Sequence, residues 1–246
     1  KFGQFINKID NSFEKVASGH YAKIENVNGK FILKTSPDPI KDQTYFLAYL
    51  TQHQLSRALF PIGSYKKKQI RELAHNYGLP NMIRKDSQGI CFLGKIKFSD
   101  FIKHHLGELE GEIIDIDTNK VMGKHKGFYF YTIGQRSGLR LGGGPWYVIS
   151  KDIEKNIVYI SKENIINRAR KEFTVGKFNW ISEEKPEDGN YLVKIRHGEH
   201  FYKCSLTFDG DTAKVLSEKE DRGIAPGQFA VFYKDDICLG GSVILE

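Results

Sequence analysis

The chain has 246 residues, of which 40% are hydrophobic and 27% are charged, and its formal net charge is +7. These values are ordinary for a soluble protein with one large domain or two to three small ones. No apolar run approaches the roughly 18 residues of a membrane-spanning helix, no stretch resembles a secretory signal, and three cysteines are too few for a disulfide framework. The composition therefore excludes membrane-spanning and disulfide-stapled classes and predicts a reducing, cytoplasmic location.

The basic excess is confined to the first part of the chain. Residues 1–110 hold seventeen Lys and Arg against ten Asp and Glu, whereas residues 111–246 hold twenty of each. A localised basic surface is typical of proteins that bind a polyanion, and nucleic acid is the leading candidate. An ordinary solvated basic surface is the alternative, and charge alone does not separate the two.

Helices and strands are mixed in the segment 1–106. A strand over Val16–Ile24 and a partner over Lys30–Lys34 form a predicted hairpin, since Asn28-Gly29 between them is a hairpin turn signal. Apolar spacing and end signals predict four helices, over residues 1–16, 51–59, 66–77 (closed by Gly78 at the C-cap) and 99–106 (with Ser99 as N-cap).

After Gly107 the pattern changes to short strands and glycine turns. Strands are predicted at residues 111–116, 128–133, 146–150 and 157–161, and then at 174–178, 191–196, 202–208, 212–216, 229–233 and 238–244. Short strands at this spacing predict a small antiparallel barrel at the end of the chain. The predicted domains are residues 1–106, 107–170 and 171–246.

One cysteine has the surroundings of a reactive thiol. Cys91 follows a polar, turn-forming run, and the cationic Arg84 and Lys85 just upstream would lower its pKa. The alternative is a small buried hydrophobic residue, which free cysteine often is. Cys204 and Cys238 lie in alternating strand patterns and are predicted to be core residues. No metal-ligand spacing is present, so no structural metal is predicted.

Two segments of the first part carry candidate binding residues. In Ser18-Gly19-His20-Tyr21, a glycine at a strand end permits a ligand to approach the backbone, and His20 could act as a base, as a phosphate contact or only as a turn residue. Lys41-Asp42-Gln43 places a cation, an anion and an amide before an aromatic pair, which suits a phosphate together with a base edge. Asp42 could instead cap a helix.

Three further segments could contact a polyanion. Lys66-Lys67-Lys68 with Arg71 forms a basic helix face, which could equally be a solvated face. Arg196-His197 ends a predicted strand, and Gln228 precedes another. Barrel loops of this kind often contact nucleic acid, although ordinary turn chemistry explains them as well.

Eight motifs occur together and in order along the chain. They are Ser-Gly-His-Tyr at 18–21, Lys-Asp-Gln-Thr-Tyr-Phe-Leu at 41–47, Leu-Phe-Pro-Ile-Gly at 59–63, Lys-Asp-Ser-Gln-Gly-Ile-Cys-Phe at 85–92, Tyr-Thr-Ile-Gly-Gln-Arg at 131–136, Pro-Trp-Tyr-Val at 145–148, Ala-Pro-Gly-Gln-Phe-Ala-Val-Phe-Tyr at 225–233 and Cys-Leu-Gly-Gly at 238–241. The set resembles the bacterial tRNA-specific 2-thiouridylases over essentially the whole chain.

The resemblance implies a multidomain α/β plus β fold. Residues 1–106 would be the C-terminal part of an α/β ATP-pyrophosphatase domain of the adenine nucleotide α-hydrolase type, followed by a small β-rich central domain and a C-terminal antiparallel β-barrel. The implied reaction replaces the C2 oxygen of the wobble uridine of tRNA by sulfur, after ATP, with Mg as its counterion, has adenylated that oxygen. A cysteine persulfide supplies the sulfur, which comes from a sulfur-relay donor protein.

By matching motif, the resemblance also assigns residues. Cys91 would carry the persulfide, and a second cysteine of the family would release the sulfur through a disulfide. Gly19 would contact ATP. Seven residues would contact tRNA: His20, Lys41, Asp42, Gln43, Arg196, His197 and Gln228. A persulfide is a strong nucleophile near neutral pH, and the target base must leave its stack to reach it.

The sequence departs from this family in one large way. The glycine- and serine-rich ATP loop with its catalytic aspartate, and the second cysteine, lie in the family upstream of the position matching Lys1. The 246 residues are therefore expected to be the C-terminal two thirds of the enzyme, unable to complete thiolation alone, with poor order expected in residues 1–105.

Two other functions are alternatives to the sulfurtransferase. A non-catalytic tRNA-binding module with a structural Cys91 shares the basic surface. A thiol redox protein unrelated to RNA is disfavoured, because the chain contains no Cys-x-x-Cys and no resolving cysteine near Cys91.

Overall fold

A computed structural model of the chain describes residues 2–10, 12–84, 97–162, 169–221 and 223–245. The contacts within the chain group it into two units, residues 1–84 together with 170–246, and residues 85–169. Cys91 and the rest of its motif at 85–92 lie outside the described residues, so the structure makes no statement about them.

The segment that ends at Arg84 supplies short elements around a small parallel pair of strands. The elements are α1 (Gln4–Lys8), β1 (Val16–Ala17), β2 (Ala22–Val27), β3 (Lys30–Thr35), α2 (Thr44–Leu47), α3 (Gln52–Arg57), β4 (Ala58–Leu59) and α4 (Lys67–Asn76). β1 pairs with β4 in parallel, and β2 pairs with β3 as an antiparallel hairpin. Asn28 and Gly29 have positive φ angles of 51° and 86°, as a two-residue hairpin turn requires.

The predictions for this segment were partly wrong. The helix expected over residues 1–16 covers only Gln4–Lys8, because Ile9 is extended and the Asp10 carboxylate accepts a hydrogen bond from the Ser12 backbone at 2.7 Å. Such a local turn offers the backbone an alternative to the helix. The strand expected over Val16–Ile24 is divided into β1 and β2. The helix predicted at residues 66–77 is present as α4, with Gly78 at a φ of 58° beyond its end.

Six strands close into the predicted antiparallel barrel. They are β9 (Arg170–Trp180), β10 (Gly189–Lys194), β11 (Tyr202–Asp209), β12 (Thr212–Asp221), β13 (Phe229–Lys234) and β14 (Ile237–Ile244). Their order is β13-β10-β11-β12-β9-β14, and pairing of β14 with β13 closes the ring. The β2–β3 hairpin extends the sheet, since Leu33 and Lys34 of β3 pair with Cys238 and Ile237 of β14.

Two barrel strands, β10 and β13, are buried on both faces. Val193 and Ile195 face the barrel core with Phe232, whereas Val231 and Tyr233 face a second core. That second core includes Leu33, Leu47 and Leu55 from the segment that ends at Arg84. The described residues 2–10 and 12–60 therefore pack on the outside of the barrel and form one unit with it.

The Cys-Leu-Gly-Gly motif is explained by close packing. Gly240 has a φ of 148°, and a Cβ there would lie 2.0 Å from the carbonyl oxygen of Asn179 on β9. A Cβ on Gly241 would lie 2.7 Å from the ring of Tyr49. Glycine permits β14 to bend at this point. The strand pairs with β3 before the bend and with β9 after it.

In its described residues, 97–162 and 169, the second unit contains a small mixed sheet, the helix α5 and a 3-10 helix. Its elements are α5 (Phe98–Leu106), β5 (Gly111–Asp115), β6 (Val121–His125), a 3-10 helix (Phe128–Phe130), β7 (Tyr147–Asp152) and β8 (Ile157–Ser161). The strand order is β6-β5-β8-β7, with β5 and β8 parallel. Ile113, Val148, Val158 and Ile160 form its core with Trp146.

Three details of this unit were predicted wrongly. Residues 128–133 are not a strand, because Phe130 and Tyr131 donate backbone hydrogen bonds three residues back, to Gly127 and Phe128, and close a 3-10 turn. β6 was missed, and α5 begins at Phe98 after Lys97, so Ser99 is not its N-cap. The aromatic residues 128–131 have a high propensity for strands, but the structure around them overrides this propensity.

Candidate nucleic-acid interface

Gly19 and His20 lie just beyond the carboxyl end of β1. The imidazole Nδ1 of His20 is 2.6 Å from the Ser18 hydroxyl, and the ring packs between those of Phe2 and Phe60 at centroid distances of 5.7 and 5.4 Å. Within the part of the chain that the structure describes, a Cβ on Gly19 would meet Ile62 alone, which follows β4, at 3.9 Å. Both residues thus occupy the end of a parallel strand pair, where α/β proteins commonly bind ligands.

Gln43 is held against this strand end. Its backbone N–H donates to the Tyr21 carbonyl at 2.9 Å, and its side-chain oxygen accepts from the Tyr21 N–H at 3.0 Å. These two hydrogen bonds place the loop at 41–43 directly beside the Ser-Gly-His-Tyr segment. Two motifs that are separate in the sequence therefore form one surface.

Asp42 lies inside the protein and anchors the loop. Its side chain is 1% exposed, and one carboxylate oxygen accepts the Ser36 N–H at 3.0 Å. The other accepts the Thr44 hydroxyl at 2.7 Å and the ammonium of Lys194 at 3.3 Å. Lys194 is itself fully buried on β10, so a barrel strand supplies the counter-ion of the loop.

The buried cluster around Asp42 also contains Tyr233 and Cys238. Burial lowers the pKa of Lys194, while Asp42 acts in the opposite direction, and burial raises the pKa of Tyr233 well above its usual value. The Tyr233 hydroxyl is 3.1 Å from that of Thr44. The Lys194 ammonium also lies 4.0 Å from the ring centroid of Phe201, a cation–π contact.

The barrel contributes Arg196 and His197 next to the same loop. The ring Nε2 of His197 is 3.1 Å from the Asp42 carbonyl oxygen, and the ring stacks on Phe46 at a centroid distance of 4.7 Å. The Arg196 guanidinium contacts the buried carboxylate of Asp221, which also accepts the Tyr202 hydroxyl at 3.0 Å. The Arg196 side chain is still 59% exposed, so it can contact a ligand.

Gln228 joins the surface through its neighbour. It is exposed in the turn before β13, and the hydroxyl of Tyr45 donates to the carbonyl of the adjacent Phe229 at 3.2 Å. The described residues that the resemblance assigns to ATP and tRNA therefore lie along one continuous series of contacts. They come from three parts of the chain: residues 19–20, 41–43 and the barrel loops at 196–197 and 228.

The basic helix α4 is tied to the same loop. The Asp38 carboxylate accepts the backbone N–H of Lys41 at 3.2 Å and that of Lys67, the first residue of α4, at 2.9 Å. α4 has no buried residue, so its basic side chains lie at the surface. The loop and the basic helix are thus fixed relative to each other by one carboxylate.

A small pocket opens at this surface. It has a volume of about 220 Å³ and is lined by Arg196, His197 and His200 together with Ile195, Gly198 and Tyr202. A larger cavity of about 770 Å³ lies along β10 to β13 and contains none of the residues assigned above. The small pocket is the better candidate for an anionic ligand because Arg196 and His197 line it.

In the described ranges, His, Cys, Asp and Glu do not gather in groups of three or more that could hold a metal ion. Nor does the described part of the chain contain a helix with the length and apolar character needed to cross a membrane.

The two described cysteines are free thiols inside the protein. Cys204 and Cys238 are 4% and 1% exposed. Burial raises the pKa of the Cys204 thiol to about 12 and raises that of Cys238 further. Because the thiolate is the nucleophile, neither side chain can act as one near neutral pH.

Because of these two thiols, we expect the protein to lose stability at alkaline pH. Burial raises their pKa values in the folded state, so their contribution to the free energy of unfolding is complete below about pH 9 and declines as the pH rises toward 12. We expect each to lower the free energy of unfolding by about 1.4 kcal/mol per pH unit in this window. Urea denaturation from pH 8 to 11 measures the slope. C204A should decline less steeply, and equal slopes for both proteins would contradict the prediction.

The sequence did not predict the buried partners of the site. Lys194 and Asp221 hold Asp42 and Arg196, yet neither was identified. The one available signal was a lysine inside the apolar run Leu192-Val193-Lys194-Ile195, where an inward charge needs a partner.

Fold and surface together define a class of protein. It is a multidomain α/β plus β protein in which an α/β segment packs on a six-stranded barrel, with a basic and aromatic surface where these two parts meet.

Comparison with known proteins agrees with this class. Three family models match in succession: "tRNA methyl transferase HUP domain" at residues 1–95, "tRNA methyl transferase PRC-barrel domain" at 99–162 and "Aminomethyltransferase beta-barrel domain" at 170–244. The tRNA-specific 2-thiouridylase MnmA 1 of Bacteroides thetaiotaomicron is 45% identical over 99% of this chain and 71% of its own length.

Two further relatives, each named tRNA-specific 2-thiouridylase MnmA, are similar over all of this chain and 71% of their own length. The protein of Parabacteroides distasonis is 44% identical, and that of Porphyromonas gingivalis is 43% identical. The chain belongs to the tRNA-specific 2-thiouridylase family.

Proposed function

We propose that this protein is a tRNA-uridine 2-sulfurtransferase, in which this chain supplies the tRNA-binding surface and, at Cys91, the cysteine that carries sulfur. The observation that carries the proposal is the continuous series of contacts from Gly19 to Gln228 at a basic, partly aromatic surface. A family whose named members are tRNA-specific 2-thiouridylases supports it as well.

The sulfur-carrying role falls to Cys91. Of the three cysteines in the chain, Cys204 and Cys238 are buried, and their thiol pKa values are raised. In the proposed reaction the uridine C2 oxygen displaces pyrophosphate from ATP and is thereby activated. The terminal sulfur of the Cys91 persulfide then attacks C2, and AMP leaves with that oxygen, which gives a C2–S–S–Cys91 adduct. The thiolate of a second cysteine of the enzyme attacks the Cys91 sulfur, so the S–S bond of the adduct breaks, the 2-thiouridine is released and a disulfide joins the two cysteines.

Gly19 fits a place beside the nucleotide. It follows the carboxyl end of β1, and among the described residues a Cβ there would meet Ile62 alone, at 3.9 Å, which is compatible with a phosphate or ribose near the backbone. ATP would enter as a substrate with Mg as the counterion of its phosphates. A sulfur-relay donor protein would load Cys91, and the reaction would take place in the cytoplasm.

The residues proposed to bind tRNA divide into two groups. Arg196, His197 and Gln228 are exposed and can contact RNA directly. Asp42 is buried, so its proposed role is to hold the loop that presents Lys41 and Gln43. His20 stands next to this loop at the strand end. The proposed domain boundaries remain those of the sequence, at about 107 and 171.

A direct test is binding of the chain to an anticodon stem-loop RNA with uridine at the wobble position. We expect affinity to fall steeply with salt, because phosphate contacts release counterions. R196Q should reduce the salt slope by about one, whereas K214Q, an exposed change on β12 away from the contacts described above, should leave it unchanged. Absence of RNA binding at low salt would contradict the proposed function.

A further inference from the structure

Five aromatic side chains form an exposed cluster beside the proposed tRNA-binding residues. The aromatic face consists of Tyr45, Phe46, Tyr49, His197 and Phe229. Phe46 is 62% exposed, Phe229 44% and Tyr49 40%. Single exposed apolar residues are common, but contiguous aromatic surface on a soluble protein usually marks a binding site.

The rings are arranged as a short stack with edge contacts. Phe46 and His197 lie nearly parallel, with an interplanar angle of 25° and a centroid distance of 4.7 Å. Tyr45 meets Phe46 edge-on at 5.7 Å, and Tyr49 meets Phe229 edge-on at 5.1 Å. A flat aromatic ligand can extend a stack of this kind without any rearrangement of the rings.

Hydrogen bonds hold the aromatic face in place. The Tyr45 hydroxyl donates to the Phe229 carbonyl at 3.2 Å, and the Tyr49 hydroxyl donates to the Lys177 carbonyl at 3.4 Å. The His197 ring is fixed to the Asp42 carbonyl at 3.1 Å. Because the rings of Tyr45, Tyr49 and His197 are anchored before binding, these rings lose little conformational entropy when a ligand stacks on the aromatic face.

The polar surroundings favour a nucleobase over an apolar protein segment. Arg196 immediately precedes His197, its side chain is 59% exposed, and the adjacent pocket of about 220 Å³ is lined by Arg196, His197 and His200. Asp221 partly neutralises Arg196, but the Asp221 side chain is only 6% exposed and so presents little negative charge outward. Cations beside open aromatic rings are the combination that binds single-stranded nucleic acid.

We propose that the aromatic face stacks an unpaired nucleobase of the bound tRNA loop, with Phe46 and His197 as the primary contact. The proposal rests on the proposed function and extends it from phosphate and base-edge contacts to stacking. A stacked neighbour would hold the loop open while the nucleotide to be modified is out of its own stack.

The experiment compares F46L, F46W and F13L in the full chain. The probes are anticodon stem-loop RNAs that carry 2-aminopurine at one unpaired position at a time, because its fluorescence is quenched by stacking. Leucine retains apolar volume but removes the aromatic ring. Phe13 is the matched control, since it is 56% exposed and makes no ring contact among the described residues.

We expect F46L to weaken loop binding roughly 5- to 100-fold and to abolish quenching at one loop position, with the salt slope unchanged. F46W should retain both affinity and quenching, and F13L should resemble the unmodified chain. Equal affinity and equal quenching for F46L and the unmodified chain would overturn the stacking proposal while leaving tRNA binding intact. If the unmodified chain binds no loop RNA, the proposed function itself fails.

Discussion

Replacing Lys194 by alanine is expected to lower the free energy of unfolding by about 3 to 5 kcal/mol. Lys194 and Asp42 are both fully buried, and their charged groups are 3.3 Å apart. Removal of the ammonium leaves the Asp42 carboxylate as an unpaired charge inside the protein. A buried charge without a partner costs far more than the pair contributes when it is intact.

The double variant D42N/K194M separates this explanation from a simple loss of packing. It removes both charges and keeps a long apolar side chain on β10, so we expect it to recover most of the stability lost in K194A. K30A removes the exposed ion pair with Glu184 and should change stability by about 1 kcal/mol or less. Urea unfolding measures all four proteins. Similar losses in K194A and in D42N/K194M would contradict the charge-based account.

Lys194 also positions the loop at 41–43 within the proposed site. The Lys194 ammonium contacts the Asp42 carboxylate and the rings of Phe201 and Tyr233. It thus holds the carboxylate of Asp42, the residue whose backbone carbonyl fixes His197. The barrel and the loop at 41–43 therefore share one anchor. This pair explains why the loop occupies one position relative to Arg196 and His197, which the wide separation of these segments in the sequence could not indicate.

Replacing Cys91 by serine is expected to abolish sulfur loading and to leave tRNA binding unchanged. Serine retains the size and polarity of the side chain but cannot form a persulfide. Loading is measured as labelled sulfur transferred to the chain from a cysteine-persulfide donor, and binding is measured with the anticodon stem-loop. C204A serves as the control, since burial keeps the Cys204 thiol protonated.

The C91S experiment also distinguishes a sulfurtransferase from a non-catalytic tRNA-binding module. If C91S loads as much sulfur as the unmodified chain, Cys91 is not the carrier. If neither protein loads sulfur but both bind tRNA, the chain acts as an RNA-binding module with a structural Cys91.

The barrel and the hairpin were predictable because their signals are local. Alternating apolar residues predicted the strands from Phe173 onward, and Asn28-Gly29 predicted the β2–β3 turn, whose two residues have positive φ angles. By contrast, Phe128–Ile133 resembles a strand in propensity, but the chain turns at residues 127–131. Addition of the hairpin to β14 could not be foreseen, because it joins Leu33 to Cys238 across most of the chain.

The candidate site was predicted through its motifs, whereas its organisation was not. Gly19, His20, Lys41–Gln43, Arg196, His197 and Gln228 were named from the resemblance. That Asp42 is buried and paired with Lys194 depends on contacts between distant segments, and no local pattern encodes such a pair. The same holds for Phe46, which was seen only as part of an aromatic pair and not as the partner of His197.

Transfer of sulfur from Cys91 to tRNA is tested most directly by peptide mass spectrometry of the chain after incubation with a persulfide donor and alkylation to trap persulfides. We expect an additional sulfur on the Cys91 peptide and none on the peptides of the buried Cys204 and Cys238. An additional sulfur on either buried cysteine, or none on Cys91 in a chain that binds tRNA, would contradict this expectation.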